Sequence, residues 1–458
     1  MAIPLKDLAE ELEARARAFV REHRLPGVAA AVVHGDDLMW ASGEGYADVA
    51  GSRRPDTRTL YRVASVTKTF TGTAIVQLRD AGRLHLDDPA VSYIPELASA
   101  GSPFAPIETL TIRRMLSHES GLMGDPPGTD WSYRTYPADV AEILGRVDEA
   151  GLRIPVNVQQ KYSNLAYELL GEIVARVSGQ PYPEYLRERI LQPLALDSTA
   201  FEPLSEKLAA RCAVGYAPRA FSDELLPARP LKSNLFAAGG LWSCVEDLAR
   251  WISFQLRETD GDDGKVLSRA SLHEMQRPRY LGDEGWTEAW GVAWYATRRE
   301  DVTWVMHSGG LFGFASNVCF DPAERVGAIA LVNGHGPADA LAMELAAMAR
   351  ASILEHPLPI EPPQPLPVEW QTLLGLYADP DVGILLRLEW RDGKLTFVDP
   401  DDPGWRPVLR PTDVADEFVV ELGVRQSGEP CTFERRTDGR VRAVVLGPAT
   451  LVRLDPVE

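Results

Sequence analysis

The chain has 458 residues, with 47 Lys+Arg against 66 Asp+Glu and a net charge of −19. That length exceeds one ordinary core and predicts two domains. The acidic balance argues against a nucleic-acid footprint and against anionic membrane surfaces, so neither kind of partner is expected. The N-terminal stretch carries a charge every few residues and has no apolar signal-peptide core. Residues 5–24 have the spacing of an amphipathic helix. Apolar runs at 28–33 and 38–42 flank His34-Gly35-Asp36-Asp37 and read as a hairpin. An extended lead-in then gives way at Ser65 to helical spacing at Val66, Phe70 and Ala74. Residues 110–120 read as a helix capped by Gly121, with His118 expected to hold local backbone rather than to act in catalysis. Tyr162-Ser163-Asn164 precedes a helix over 165–177, and Ala237-Ala238-Gly239-Gly240 precedes another over 245–256. The runs at 302–306, 315–320 and 326–332 read as three adjacent strands, followed by a helix over 338–354. No apolar run approaches the roughly 18 residues of a membrane span. Cys212, Cys244, Cys319 and Cys431 are isolated, which suits a reducing, cytoplasmic setting and suggests neither a metal site nor a disulfide framework.

Strands at both ends with helices between them predict an α+β domain over 1–355: an antiparallel sheet flanked by helices, with a helical insert. Residues 356–367 are Pro-rich and read as a semi-rigid linker. In 368–458 two hairpins, each with an Asp-Gly turn, predict a small antiparallel barrel or sandwich. Trp370, Tyr377, Trp390, Phe397, Trp405, Phe418 and Phe433 supply its core. Ser427 is its only serine and Lys394 its only lysine, so it holds no second nucleophile motif.

Ser65-Val66-Thr67-Lys68 puts a hydroxyl and an ammonium three residues apart on one helix face. The helix N-terminus adds about 0.3–1 kcal/mol of favourable potential toward negative charge. Taken alone, the pair also describes an N-cap serine beside a solvated lysine. Lysine is scarce in this chain, however, and arginine serves a solvated face equally well but cannot give up a proton. A lysine kept here suits a role that needs a shiftable pKa.

Ser65-x-x-Lys68, Tyr162-x-Asn164 and His307-x-Gly309 occur once each and in that order. With Leu116-Ser117-His118-Glu119-Ser120-Gly121-Leu122 and Ala238-Gly239-Gly240-Leu241, this set resembles the serine β-lactamase and penicillin-binding-protein superfamily. The likeness, over about residues 15–350, is to the branch with class C β-lactamases, family VIII esterases and D-aminopeptidases. The chain departs from the S-x-x-K, S-D-N, K-T-G set of the class A enzymes. Tyrosine opens the second motif, as in class C, and histidine replaces lysine in the third.

The resemblance implies a β-lactamase-like fold and a cofactor-free serine hydrolase acting on a small-molecule ester or amide. Ser65 is the implied nucleophile, with Lys68 and Tyr162 as the activating pair. The backbone N–H groups of Ser65 and Gly310 form the implied oxyanion hole. Asn164, His307 and Gly309 bind substrate. Deprotonating a tyrosine at neutral pH costs about 4 kcal/mol. One ammonium about 4 Å away supplies about 4 kcal/mol at an effective dielectric near 20. Tyr162 as base beside a charged Lys68 is thus feasible, whereas a neutral Lys68 as base requires burial; the two arrangements stay open. Losing the third-motif lysine removes a permanent cation and favours carboxylic esters. A D-amino-acid peptidase or amidase, a β-lactamase, an acyltransferase and a non-catalytic binding protein stay open as alternatives, as does the oligomeric state.

Overall fold

The computed structural model describes residues 5–129, 136–218, 224–228, 236–260, 266–283, 285–299, 301–355, 365–379, 384–391, 393–400, 406–421, 427–447 and 449–454. The chain divides into two compact units, Met1–His356 and Pro357–Glu458. Most of the linker reading, and Trp405, lie outside the described residues.

The large unit is built on an eight-stranded antiparallel sheet. Its strands are β1 (Gly27–His34), β2 (Asp37–Gly45), β3 (Tyr280–Leu281), β4 (Glu288–Trp290), β5 (Tyr295–Arg299), β6 (Val302–Leu311), β7 (Phe314–Asp321) and β8 (Val326–Val332), in spatial order β2-β1-β8-β7-β6-β5-β4-β3. The first strand therefore pairs with the last, from Val28 opposite Val332 to His34 opposite Val326. β1 is buried on both faces, which is why it reads as an unbroken apolar run. Its alternate side chains go to different cores. Val28, Ala30 and Val32 pack with Leu12 and Phe19 of α1 (Leu5–Glu22) and Leu341 and Leu345 of a C-terminal helix, Ala338–Glu355. Ala29, Ala31 and Val33 join the larger core that holds the helical insert.

Three further helices matter for the site: α2 (Thr67–Asp80), α3 (Asn164–Ser178) and α4 (Val245–Leu256). Ser163 caps α3, its hydroxyl accepting the Ala166 N–H at 3.0 Å. Gly179 ends α3 in the left-handed region, at φ 78°. The helix expected over 110–120 is shorter, Ile112–Leu116, and its C-cap is Ser117 rather than Gly121. His118 takes a left-handed φ of 60° and turns the chain away before Gly121 is reached.

The small unit is a closed eight-stranded antiparallel barrel, Gly375–Asp379 through Ala449–Leu454, each strand paired with its sequence neighbour and the last with the first. Of the two forms expected, barrel or sandwich, it is the barrel. Closure leaves no unpaired sheet edge. Tyr377, Phe397, Phe418 and Phe433 fill its interior.

Candidate active site

A short strand, Tyr61–Arg62, leads into a 3-10 turn over Ala64–Val66 that runs on into α2. Ala64 adopts a left-handed φ of 46°. A residue with a Cβ meets a cost of about 1–2 kcal/mol there, and the bend leaves Ser65 half-buried at the head of the helix. One turn on, Lys68 is fully buried. Its Nζ lies 3.1 Å from Ser65 Oγ, 2.8 Å from Asn164 Oδ1 and 2.6 Å from the Ala238 carbonyl oxygen.

These three partners differ in what they can exchange. The Ala238 carbonyl only accepts. Asn164 presents its oxygen, because its Nδ2 donates to Asp125 Oδ1 at 2.7 Å. A neutral lysine has two N–H groups and one lone pair. With both N–H groups held by Ala238 and Asn164, the lone pair faces the only partner with a proton to give, the Ser65 hydroxyl. Burial pulls Lys68 down to about 7, against the charges of Glu168 and Asp125, which raise it. The burial that a neutral lysine requires is therefore present.

Tyr162 lies across from this pair. Lys68 Nζ sits 4.9 Å from its ring centroid. The ring is stacked on His118 at 4.2 Å. His118 Nδ1 accepts the Ser163 N–H at 3.1 Å, so His118 does hold local backbone, here the segment that carries Tyr162. Burial keeps His118 well below its usual value, and the neighbouring Lys68 and His307 push the same way.

His307 sits within β6, opposite Val318 of β7. It is only 2% exposed and presents edge-on contacts to Trp290 and Tyr295. Burial, helped by the charge of Lys68, pulls it down to about 3; the ring is neutral at physiological pH. Gly309, two residues on, is a packing necessity. A Cβ there would stand 2.2 Å from the Val63 carbonyl oxygen, 2.4 Å from Ser316 Oγ and 3.1 Å from the Ser65 nitrogen. The absent side chain lets β6 cross directly over the Ser65 turn. Gly310 faces open space, and with Ser65 it lines a cleft of about 550 Å³.

Aromatic and aliphatic side chains dominate the cleft: Tyr136, Phe236, Leu311, Phe312 and Phe314. Its charges include Arg62 and Glu202, joined at 2.7 Å. Glu202 also accepts from Trp242 Nε1 at 3.1 Å, and Arg62 lies 4.8 Å from the Trp242 ring centroid. The structure thus gathers Ser65, Lys68, Asn164 and Tyr162 around one point and sets Gly309 against the Ser65 turn, with Gly310 lining the same cleft as Ser65. Of the expected site residues, Ser65, Asn164 and Gly310 line the cleft, and Lys68, Tyr162, His307 and Gly309 do not.

The Beta-lactamase family matches residues 12–352. The chain belongs to that family. Penicillin-binding proteins are among the relatives of this beta-lactamase-family chain. It is 30% identical over 374 residues to "Penicillin-binding protein 4" of Amycolatopsis lactamdurans, covering 79% of this chain and 95% of that one. It is 27% identical over 333 residues to "Protein flp" of Staphylococcus aureus (strain NCTC 8325 / PS 47), covering 71% of this chain. The match spans about 63% of the length of that relative. The octameric penicillin-binding protein homologue from Pyrococcus abyssi superposes with a TM-score of 0.66 at 21% identity, over 97% of this chain and 99% of that one. The beta-lactamase/D-alanine carboxypeptidase from Pseudomonas syringae gives 0.62 at 19% identity, over 77% and 99%. At these identities the two structures speak for the fold. Among the described residues, no helix of this beta-lactamase-family chain is long and apolar enough to cross a membrane.

Sequence reasoning missed Asp125, Glu168 and the Ala238 carbonyl. A backbone carbonyl has no sequence signal, and Asp125 lies in a loop whose course periodicity does not reveal. Glu168 did carry one: it is the single charge in the otherwise apolar Leu165-Ala166-Tyr167-Glu168-Leu169-Leu170-Gly171.

Proposed function

We propose that this protein hydrolyses carboxylic esters through an acyl-enzyme on Ser65, with Lys68 as the base. In the first step the Ser65 Oγ–carbonyl carbon bond forms and the hydroxyl proton passes to Lys68 Nζ. The oxygen that becomes negative accepts the N–H groups of Ser65 and Gly310, each such donor contributing about 2.7–4 kcal/mol. The ester C–O bond then breaks, and the alkoxide leaves with the proton held on Lys68, relayed by Tyr162. A water next attacks the acyl carbon and gives its proton to Lys68. The Ser65 oxygen departs and recovers that proton, which returns the enzyme to its starting state. Asn164 keeps Lys68 oriented.

The observation that carries the ester reading is the charge state around the cleft. His307 is neutral, and Arg62 is tied to Glu202. Neither offers an uncommitted cation for the carboxylate that β-lactams and D-alanyl-D-alanine peptides present. The aromatic lining suits neutral acyl groups instead. Glu202 favours a second reading, an amidase or D-amino-acid peptidase: it engages Arg62 and Trp242 through Oε1, and its other oxygen offers a counter-ion to the amino terminus of a short peptide. The names of the relatives, a penicillin-binding protein among them, support that reading as well. Four unpaired thiols support a cytoplasmic setting.

A substrate panel tests the assignment: p-nitrophenyl esters, D-aminoacyl anilides and a chromogenic cephalosporin, with an active-site-directed phosphonate as covalent probe. Esters are expected to turn over fastest, with the probe on Ser65. Faster anilides would favour the peptidase, and labelling of another serine would overturn both readings.

A further inference from the structure

Glu168 has no part in the steps above, yet it is 3% exposed and lies one helical turn beyond Asn164 on α3. Its oxygens accept the N–H groups of Ala237 at 3.2 Å and Ala238 at 3.0 Å. Helix α2 grips the same two residues through their carbonyls. Thr71 Oγ1 donates to Ala237 O, and Lys68 Nζ to Ala238 O, each at 2.6 Å. The dipeptide is clamped at both amides and both carbonyls. Each amide takes a separate oxygen, which a carboxylate supplies and a side-chain amide does not, and the carboxylate brings a buried charge to the neighbourhood of Lys68.

We propose that Glu168 is a positioning residue for the step in which Ser65 gives its proton to Lys68: it fixes the Ala238 carbonyl that occupies one Lys68 N–H, and its charge sets the pH at which Lys68 becomes a free amine. This rests on the Ser65–Lys68 reading above. The groups facing Lys68 are Glu168 from α3, Asp125 through Asn164, the neutral rings of His118 and His307, and the rings of Tyr162 and Tyr167. Facing Glu168 are Lys68 and Tyr182, the latter 2.7 Å from Thr71 Oγ1. Burial pushes the Glu168 carboxyl up while the Ala238 and Ala237 amides and Lys68 hold it back. The two buried groups therefore titrate as a pair. The sign is fixed: a carboxylate favours the ammonium form, so removing its charge frees the Lys68 amine at lower pH.

The test is the pH dependence of Ser65 phosphonylation by a fluorophosphonate and of p-nitrophenyl ester hydrolysis, in the full chain. In Glu168→Gln the acid limb is expected to move down by about one pH unit, and the plateau to fall several-fold because the Gln NH2 cannot accept an amide N–H. Glu168→Asp keeps the charge but reaches only one amide, so its limb stays while its plateau falls. An unmoved limb in Glu168→Gln overturns the proposal. If that variant does not fold, Glu168→Asp decides: a displaced limb or an intact plateau overturns it. A probe found on a different serine in the wild type defeats the underlying reading instead, a result distinguishable from the rest.

Discussion

Lys68 and Phe397 are both fully buried, the first in the large unit and the second in the barrel, but they are surrounded in different ways. Around Phe397 the interior is Leu, Val, Tyr and Phe, with the buried thiol of Cys431. Among the described residues of the barrel, Thr396 is the only other buried polar side chain besides the tyrosine, and the Tyr377 hydroxyl is satisfied by the Leu373 carbonyl. Around Lys68 stand Glu168, Asn164, two histidines and a backbone carbonyl. Withdrawing an ion from water costs several kcal/mol even after relaxation. The barrel avoids that cost altogether, whereas the Ser65 site accepts it and is left with a lysine poised near neutrality. A shifted proton equilibrium separates a site from a core more clearly than burial does.

The comparison breaks most sharply at Ser65. Ser65→Ala is expected to lower turnover by at least about 10⁴-fold and to abolish covalent labelling; persistent labelling would mean the buried polar cluster serves packing after all. Lys68→Ala and Tyr162→Phe are each expected to lose about 10²–10⁴-fold, the range of a single general acid–base. Their double variant should lose little more than the worse single, because the two act on one proton. Multiplying losses, read from single-turnover rates, would separate Tyr162 from Lys68.

A smaller effect follows from the Lys68 value near 7. The ammonium cannot accept a proton, so kcat/KM should rise as pH climbs through about 7 and fall tenfold per unit below it. A flat profile across neutrality would make Lys68 a fixed charge instead. His307→Lys should raise the rate on carboxylate-bearing substrates relative to neutral ones by a few-fold only, since the position is almost fully enclosed. An unchanged ratio would remove His307 from substrate selection. The smallest effect on chemistry is expected from the barrel. Phe397→Ala should destabilise it by about 3–5 kcal/mol, seen as an earlier calorimetric transition, while the Ser65 phosphonylation rate stays the same.

What could be read in the sequence divides along the same line. The apolar run of β1, the Ser163 cap before α3 and the Asp-Gly hairpins of the barrel follow local rules of burial, capping and turn chemistry, and those rules were sufficient. The i, i+3 spacing of Ser65 and Lys68 is likewise local. The rest of the cluster depends on distant segments. Asn164 reaches Lys68 only because α3 packs on α2, and Ala238 contributes a carbonyl that every residue possesses. The helix at 112–116 was overestimated because helical spacing continues past Leu116, while tertiary contacts of His118 with Ser163 and Tyr162 end it. The motif points to His307, but its depth beneath the surface depends on Trp290 and Tyr295, which neighbouring strands bring against it.

The crossing of β6 over the Ser65 turn, made possible by Gly309, has a consequence for biosynthesis. The hydroxyl and lysine leave the ribosome early, but the strand that crosses over them is made some 240 residues later, and its place in the sheet depends on β7 and β8. Since the first strand of the unit pairs with the last, the emerging polypeptide carries Ser65 for most of its synthesis without the roof that completes the cleft. A chain that stops before Val332 therefore lacks part of the last strand, on whose pairing the place of β6 over the Ser65 turn depends.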